Sequence, residues 1–185
     1  MLELDNVSLI CIDNLHIESA QKAIDKSIEY INFKEVIFLK DIKIKSKEDY
    51  SKFCIKELHK YIQTEFMLLI QYDGYIINPH LWLNEYLKFD YIGAPWWYND
   101  KMNVGNGGFS FRSKRLMEYI SKMNINKCHP EDDVICRQNY NELIRNGFKF
   151  ANEYIASIFS FEQNNKHNKF KNNTFGFHAV QKLIL

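Results

Sequence analysis

The sequence lacks a charge excess of either sign: Lys and Arg total 24 and Asp and Glu 23, a formal charge of +1 at pH 7. Holding phosphate backbones without sequence preference requires a basic excess, so no nucleic acid is expected as partner. Long apolar runs are missing as well. No uncharged stretch approaches the roughly 18 to 20 residues of a membrane span, and the acidic start, Met1-Leu2-Glu3-Leu4-Asp5, is the reverse of a secretory signal. The expectation is a cytoplasmic protein. Cysteine is sparse. Cys11, Cys54, Cys128 and Cys136 lie far apart or inside apolar patterns, and read as reduced and mostly buried. Neither an internal repeat nor a domain linker is visible.

What is present is apolar and aromatic. With 185 residues, 46% hydrophobic and 15% aromatic, the chain has material for one core and a ring-lined cleft but is too short for two ordinary domains. One domain over residues 1–185 is expected. Residues 7–13 form an apolar run ending in Asp13, followed by Ile17, Ala20, Ala23, Ile24, Ile28 and Ile31 at helical spacing. A second β-branched run at 36–39 precedes Tyr50, Phe53, Cys54, Leu58, Tyr61 and Ile62, a helical set whose start is marked by Ser46 with Glu48 and Asp49 behind it. Residues 66–71 form a third continuous strand. Strands alternating with helices predict a parallel α/β layer.

Past Gly74 the pattern changes. Leu81, Trp82, Tyr86 and Leu87 fit one helical face, a strand at 91–94 is ended by Pro95, and a short strand at 109–111 leads into helices at 113–123 and about 130–145. Residues 163–173 contain five Asn, three Lys and one His, too polar to pack, and predict a mobile loop.

Four places carry chemistry. Gln71-Tyr72-Asp73-Gly74 sets a hard oxygen ligand at the carboxyl end of the third strand, where open α/β sheets bind ligands; an Asp closing a turn gives the same pattern. Glu131, Asp132 and Asp133 follow Pro130 at a helix start. Helix-dipole complementation accounts for one or two of these acids, and a general base facing a cleft accounts for a third. Gly105-Asn106-Gly107-Gly108 has the spacing of neither a P-loop nor a dinucleotide fingerprint, which leaves close approach of a ligand to backbone, or a flexible turn. Trp96 and Trp97, with Tyr98, are either sugar-stacking rings or core. Cys128, His129 and Cys136 lack the paired spacing of a structural zinc site, and His178 alone reads as structural.

Taken in order, these segments resemble a known family: Leu69-Ile70-Gln71-Tyr72-Asp73-Gly74-Tyr75, Asp90-Tyr91-Ile92-Gly93-Ala94-Pro95-Trp96, residues 104–113, residues 130–137, Phe159-Ser160-Phe161-Glu162 and Thr174-Phe175-Gly176-Phe177-His178. It is a family of glycosyltransferases classed as a domain of unknown function, similar to a compact GT-A nucleotide-sugar transferase. The resemblance implies a single-domain α/β fold with a mostly parallel central sheet flanked by helices. It implies a nucleoside-diphosphate sugar as donor, a UDP-sugar foremost, and a glycan or other hydroxyl acceptor. Mn²⁺ or Mg²⁺ is implied on Asp73 and His178, with Gln71 standing where GT-A enzymes carry another Asp.

By the same resemblance Asp132 matches the general base of inverting enzymes, flanked by Glu131 and Asp133, and expels the nucleoside diphosphate by in-line attack of the acceptor. The donor is expected along Ile12, Asp13, Asn14, Gln71, Asp73, Gly107, Gly108 and Lys169, and the sugar and acceptor beside Trp96, Trp97 and Asn106. Lys166, His167, Lys169 and Lys171 would bring positive charge on a closing loop. Peripheral contact with the inner membrane face is compatible with this reading. Two rivals fit the same residues: a non-catalytic sugar- or nucleotide-binding module, and a metal-dependent phosphate-ester hydrolase using Asp73 and the acids at 131–133. Turnover separates enzyme from binder, and release of inorganic phosphate marks the hydrolase.

Overall fold

A computed structural model describes residues 1–168, 170 and 173–179. β1 (Leu2–Ile12), α1 (Ile17–Ile28), β2 (Ile31–Leu39), α2 (Lys47–Lys56) and β3 (Phe66–Ile70) form the expected alternation. Ser46 caps α2, its hydroxyl accepting the Asp49 N–H. The helix ends at Lys56, and a 3₁₀ turn (Leu58–Tyr61) carries the remaining apolar positions. β1 pairs in parallel with β2 on one side and β3 on the other. Its second half, Val7 to Ile12, is buried without alternation, as a strand covered on both faces must be, whereas the edge strand β2 alternates.

The sheet then changes direction. β4 (Tyr91–Ile92) and β5 (Phe109–Ser113) complete the order β2-β1-β3-β5-β4, with β5 antiparallel to both β3 and β4. The result is an α/β fold with a mixed central sheet flanked by helices. Ser113 ends β5 and caps α3 (Lys114–Lys122) through a hydrogen bond from the Leu116 N–H. Leu9, Cys11, Leu68, Ile70, Phe109 and Phe111 face one core with α1. Ile10, Ile12, Met67 and Leu69 face the other with α2 and α3. Leu81, Trp82, Tyr86 and Leu87 lie on or beside two 3₁₀ turns (Pro79–Leu81 and Asn84–Lys88) in place of one helix.

The helix expected over 130–145 is broken into α4 (Glu131–Asp133), a π turn (Val134–Gln138) and α5 (Tyr140–Arg145). The Val134 carbonyl accepts both the Asn139 N–H, at 3.1 Å, and the Asn139 side-chain amide, at 2.8 Å. That widened turn re-aims the acidic residues before it. α6 (Glu153–Phe159) leads into a small parallel ribbon, β6 (Ser160–Phe161) and β7 (Gly176–Phe177), which carries His178 back to the sheet.

Within the polar segment 163–173, read as too polar to pack, His167 and Asn168 are buried while Gln163, Asn164, Lys166 and Asn173 are exposed. Asn168 is 3% exposed, and the side-chain amides of Asn165 and Asn168 both donate to the Pro95 carbonyl. Backbone partners let these amides be buried. Lys169 and Lys171 lie outside the described residues. Among the described residues no helix is long and apolar enough to cross a membrane.

Candidate active site

A cleft of about 620 Å³ opens at the carboxyl ends of β1 and β3. Three strips of chain wall it: the loop after β1, the β2–α2 connection, and the turn at 105–108 against α4. Ile12, Asp13 and Asn14 line it as expected, but two of their side chains serve the loop. Asp13 Oδ1 accepts the N–H groups of Leu15 and His16 at 2.8 and 2.6 Å, and Asn14 donates to the Ile44 carbonyl at 2.9 Å. His16, two residues further on, offers a surface that the sequence pattern did not mark. The His16 ring stacks on Tyr72 with centroids 4.0 Å apart and planes 22° apart, and both line the cleft. Lys45 and Lys47, at the mouth of α2, line it too. Their only signal in the sequence is that they follow a strand's carboxyl end.

At one end of the cleft, three side chains converge on His178. Its Nδ1 lies 3.1 Å from Glu162 Oε1, and its Nε2 lies 2.9 Å from Gln71 Oε1 and 3.4 Å from Asp73 Oδ1. Gln71 is oriented by donating to the Tyr50 hydroxyl at 3.0 Å. Burial disfavours the imidazolium, but Asp73 and Glu162 outweigh it and push the His178 pKa up to about 9. Asp73 is half-buried and its Oδ1 has no hydrogen bond. Among the described residues no three His, Cys, Asp or Glu side chains form a metal-holding group. A donor set for a metal ion could draw on Asp73, on His178 once its proton is lost, and on the neutral Gln71 carbonyl. Its hard oxygens suit Mg²⁺ or Mn²⁺, and Glu162 on the far nitrogen is the partner that orients a ligating imidazole.

At the other end the three acids part company. Glu131 is 6% exposed and pairs with the fully buried Arg112 at 3.0 Å. Asp133 turns outward, accepting from Gln138 at 2.7 Å and lying 3.7 Å from Arg137 Nε. Asp132 lines the cleft, its Oδ2 accepting the Gly107 N–H at 3.0 Å and its Oδ1 the Asp133 N–H at 2.9 Å. Burial, and then the charge on Glu131, push its pKa up from 3.8 to about 6.

Gly107 and Gly108 line the cleft, and packing gives a further reason for them. A Cβ on Gly107 would sit 2.0 Å from Glu131 Oε1, and one on Gly108 would sit 2.0 Å from His178 Nε2. The protein's own side chains fill the space. Asn106, at φ 60°, holds the turn by accepting the Gly108 N–H, and its side-chain nitrogen is buried without a partner at the cleft wall.

Two other expectations fail on burial. Trp96 is 8% exposed and lies against Gly105 in the core, so it presents no free face, whereas Trp97 is half exposed; neither lines the cleft. His167 is buried and held by Glu153 at 2.6 Å, so it is spent on α6. His129 shares a hydrogen bond of 2.9 Å with Ser51, and Cys136 is buried.

The fold is shared with known enzymes. A glycosyltransferase involved in glycosylation of the major capsid of PBCV-1 superposes with a TM-score of 0.59 at 10% identity, covering 94% of this chain and 93% of its own. Apo GlyE, a glycosyltransferase of Streptococcus pneumoniae TIGR4, gives 0.53 at 11% identity over 97% of this chain, which spans only 55% of GlyE. At such identities the likeness establishes a GT-A glycosyltransferase fold and nothing finer. No match is found among curated proteins. The model of one family matches residues 33–178, and the chain accordingly belongs to DUF5672, described as a protein of unknown function.

Proposed function

We propose that the protein transfers a sugar from a nucleoside-diphosphate sugar, UDP-linked foremost, to a hydroxyl acceptor such as a glycan. One observation carries this reading. Two consecutive glycines join two chemically distinct centres in one cleft: Gly108 lies against the Gln71, Asp73 and His178 cluster, and Gly107 donates to Asp132. A donor spanning them has its diphosphate at the first and its anomeric carbon near the second.

Asp73, Gln71 and His178 would hold a divalent cation, which when bound neutralises charge growing on the leaving diphosphate. Lys45 and Lys47 add positive charge from the opposite wall. The His16–Tyr72 stack and the backbone beyond Ile12 offer a flat apolar surface for the base. Above about pH 6 Asp132 is ionised and takes the acceptor's proton, and the resulting displacement inverts the anomeric carbon. Glu131 and Asp133, each already paired, do not compete for that role.

Incubation with UDP-sugars, Mn²⁺ and a hydroxyl acceptor tests the reading. The expected result is UDP release, sugar transfer with inversion, and a loss of about 10² to 10⁴ in rate for Asp132→Asn at unchanged UDP affinity. Binding of UDP-sugars without turnover, or release of inorganic phosphate, overturns it in favour of a binding module or a hydrolase.

A further inference from the structure

Arg112 is fully buried in β5, an unusual place for a permanent charge. Its Nη2 donates to Glu131 Oε1 at 3.0 Å and to the Gly107 carbonyl at 3.3 Å, and its Nε donates to Ser110 Oγ at 2.9 Å. Ser110 in turn donates to the same Gly107 carbonyl at 3.1 Å. The neighbouring Asn106 carbonyl accepts the Tyr91 hydroxyl at 3.0 Å, and the Arg112 guanidinium lies 5.2 Å from the Tyr91 ring. Apart from the Arg112–Ser110 bond, each of these ends on the turn whose Gly107 N–H holds Asp132, or on Glu131 next to Asp132. Arg112 itself does not line the cleft.

We propose that Arg112 is the positioning residue of Asp132: by clamping the Gly107 carbonyl and the Glu131 carboxylate together, it fixes the turn and α4 in the register that presents Asp132 to the cleft. The inference rests on Asp132 acting as the base. A lysine carries the same charge but lacks the planar fork whose Nε bonds Ser110 while its Nη2 bonds Glu131 and Gly107, and so does not reproduce this geometry. Glu131 is thereby a member of the clamp rather than a catalytic residue, and its charge acts on Asp132 through space. The other titratable groups around Asp132, namely Tyr91 of β4, Cys54 of α2 and Cys136 of the π turn, are all pushed upward by burial and are neutral.

The experiment uses the full chain with Arg112→Lys and Glu131→Gln. Asp132 is followed by carboxyl ¹³C NMR, assigned with Asp132→Asn, and the Gly107 amide by its ¹H shift. In the unaltered protein the Gly107 amide shift is expected to follow the Asp132 titration, because its N–H bonds the carboxylate. In Arg112→Lys that dependence is lost, kcat falls at least about tenfold, and KM for the donor and affinity for UDP stay within about twofold. In Glu131→Gln, which keeps an oxygen for Arg112 but removes the negative charge, the Asp132 midpoint and the acid limb of the rate profile both fall by about one pH unit or more.

A Gly107 amide that tracks Asp132 equally well in Arg112→Lys, or an Asp132 midpoint unmoved by Glu131→Gln, overturns the proposal. Should the protein turn over no donor at all, the transferase reading fails, and the two NMR measurements still decide whether Arg112 positions Asp132.

Discussion

Asp132→Asn is expected to make the protein more stable near neutral pH while removing its turnover. Burial and the Glu131 charge raise the Asp132 pKa from 3.8 to about 6 in the folded chain. A carboxyl whose folded pKa lies above its unfolded value supports the fold while protonated, and that support is lost as pH rises through the folded pKa. Well below about pH 4 Asp132 is protonated in both states and contributes no pH dependence. Between pH 4 and about 6 the folded state holds a proton that the unfolded state has released, so stability declines. Above that window the decline is complete, and at about 1.4 kcal/mol per pH unit it amounts to about 3 kcal/mol.

Asparagine cannot ionise, so the variant escapes this decline. It does lose an acceptor for either the Gly107 or the Asp133 N–H, but that cost is the same at every pH. The decisive quantity is therefore the difference in unfolding free energy between variant and unaltered protein, measured by urea titration at pH 4, 5, 6, 7 and 8. It should move in favour of Asp132→Asn by about 2 kcal/mol from pH 4 to pH 7, the rest of the decline falling below pH 4, and then level off. A difference that stays flat across this range would show that Asp132 ionises as an ordinary exposed carboxylate, and would remove the physical ground for its role as base.

Gly107→Ala places a methyl group 2.0 Å from Glu131 Oε1; it should break the buried pair with Arg112 and cost about 3 kcal/mol or more in urea unfolding. Trp96→Ala should cost about 3 to 5 kcal/mol as a core truncation, whereas Trp97→Ala, at a half-exposed ring, should stay within about 0.5 kcal/mol in the same assay. Asp73→Asn should abolish the Mn²⁺-dependent part of UDP binding, read by calorimetry with and without the ion, while the melting temperature without ligands falls little; binding that keeps its Mn²⁺ dependence would move the cation elsewhere.

The parallel half of the sheet was legible because its signals are local. Continuous apolar runs require strands covered on both faces, and Ile17, Ala20 and Ala23 at helical spacing, like Ser46 ahead of Glu48 and Asp49, mark helices whatever lies around them. The antiparallel half was not legible in the same way. β4 is two residues long, β6 and β7 are two each, and strands so short carry no periodicity of their own. The π turn hides for a similar reason. Its apolar residues Val134, Ile135 and Cys136 suit a helix, and nothing in the local pattern marks Asn139 as the residue whose N–H and side-chain amide both bond the Val134 carbonyl.

For the site, the residue types were readable and their division of labour was not. Sequence alone determined that acids follow Pro130, that Asp73 ends a strand, that glycines crowd at 105–108 and that His178 comes near the end. Only tertiary structure decided that Glu131 turns in to Arg112, that Asp133 turns out to Gln138 and Arg137, and that Asp132 lines the cleft on two backbone N–H bonds. It also decided that Trp96 is core, and that the glycines make room for Glu131 and His178. The physical reason is range. Strand and helix preferences act over a few bonds along the chain, but the desolvation and charge pairing that set each carboxylate's task come from Arg112, nineteen residues before Glu131, and from a histidine brought back by the last strand.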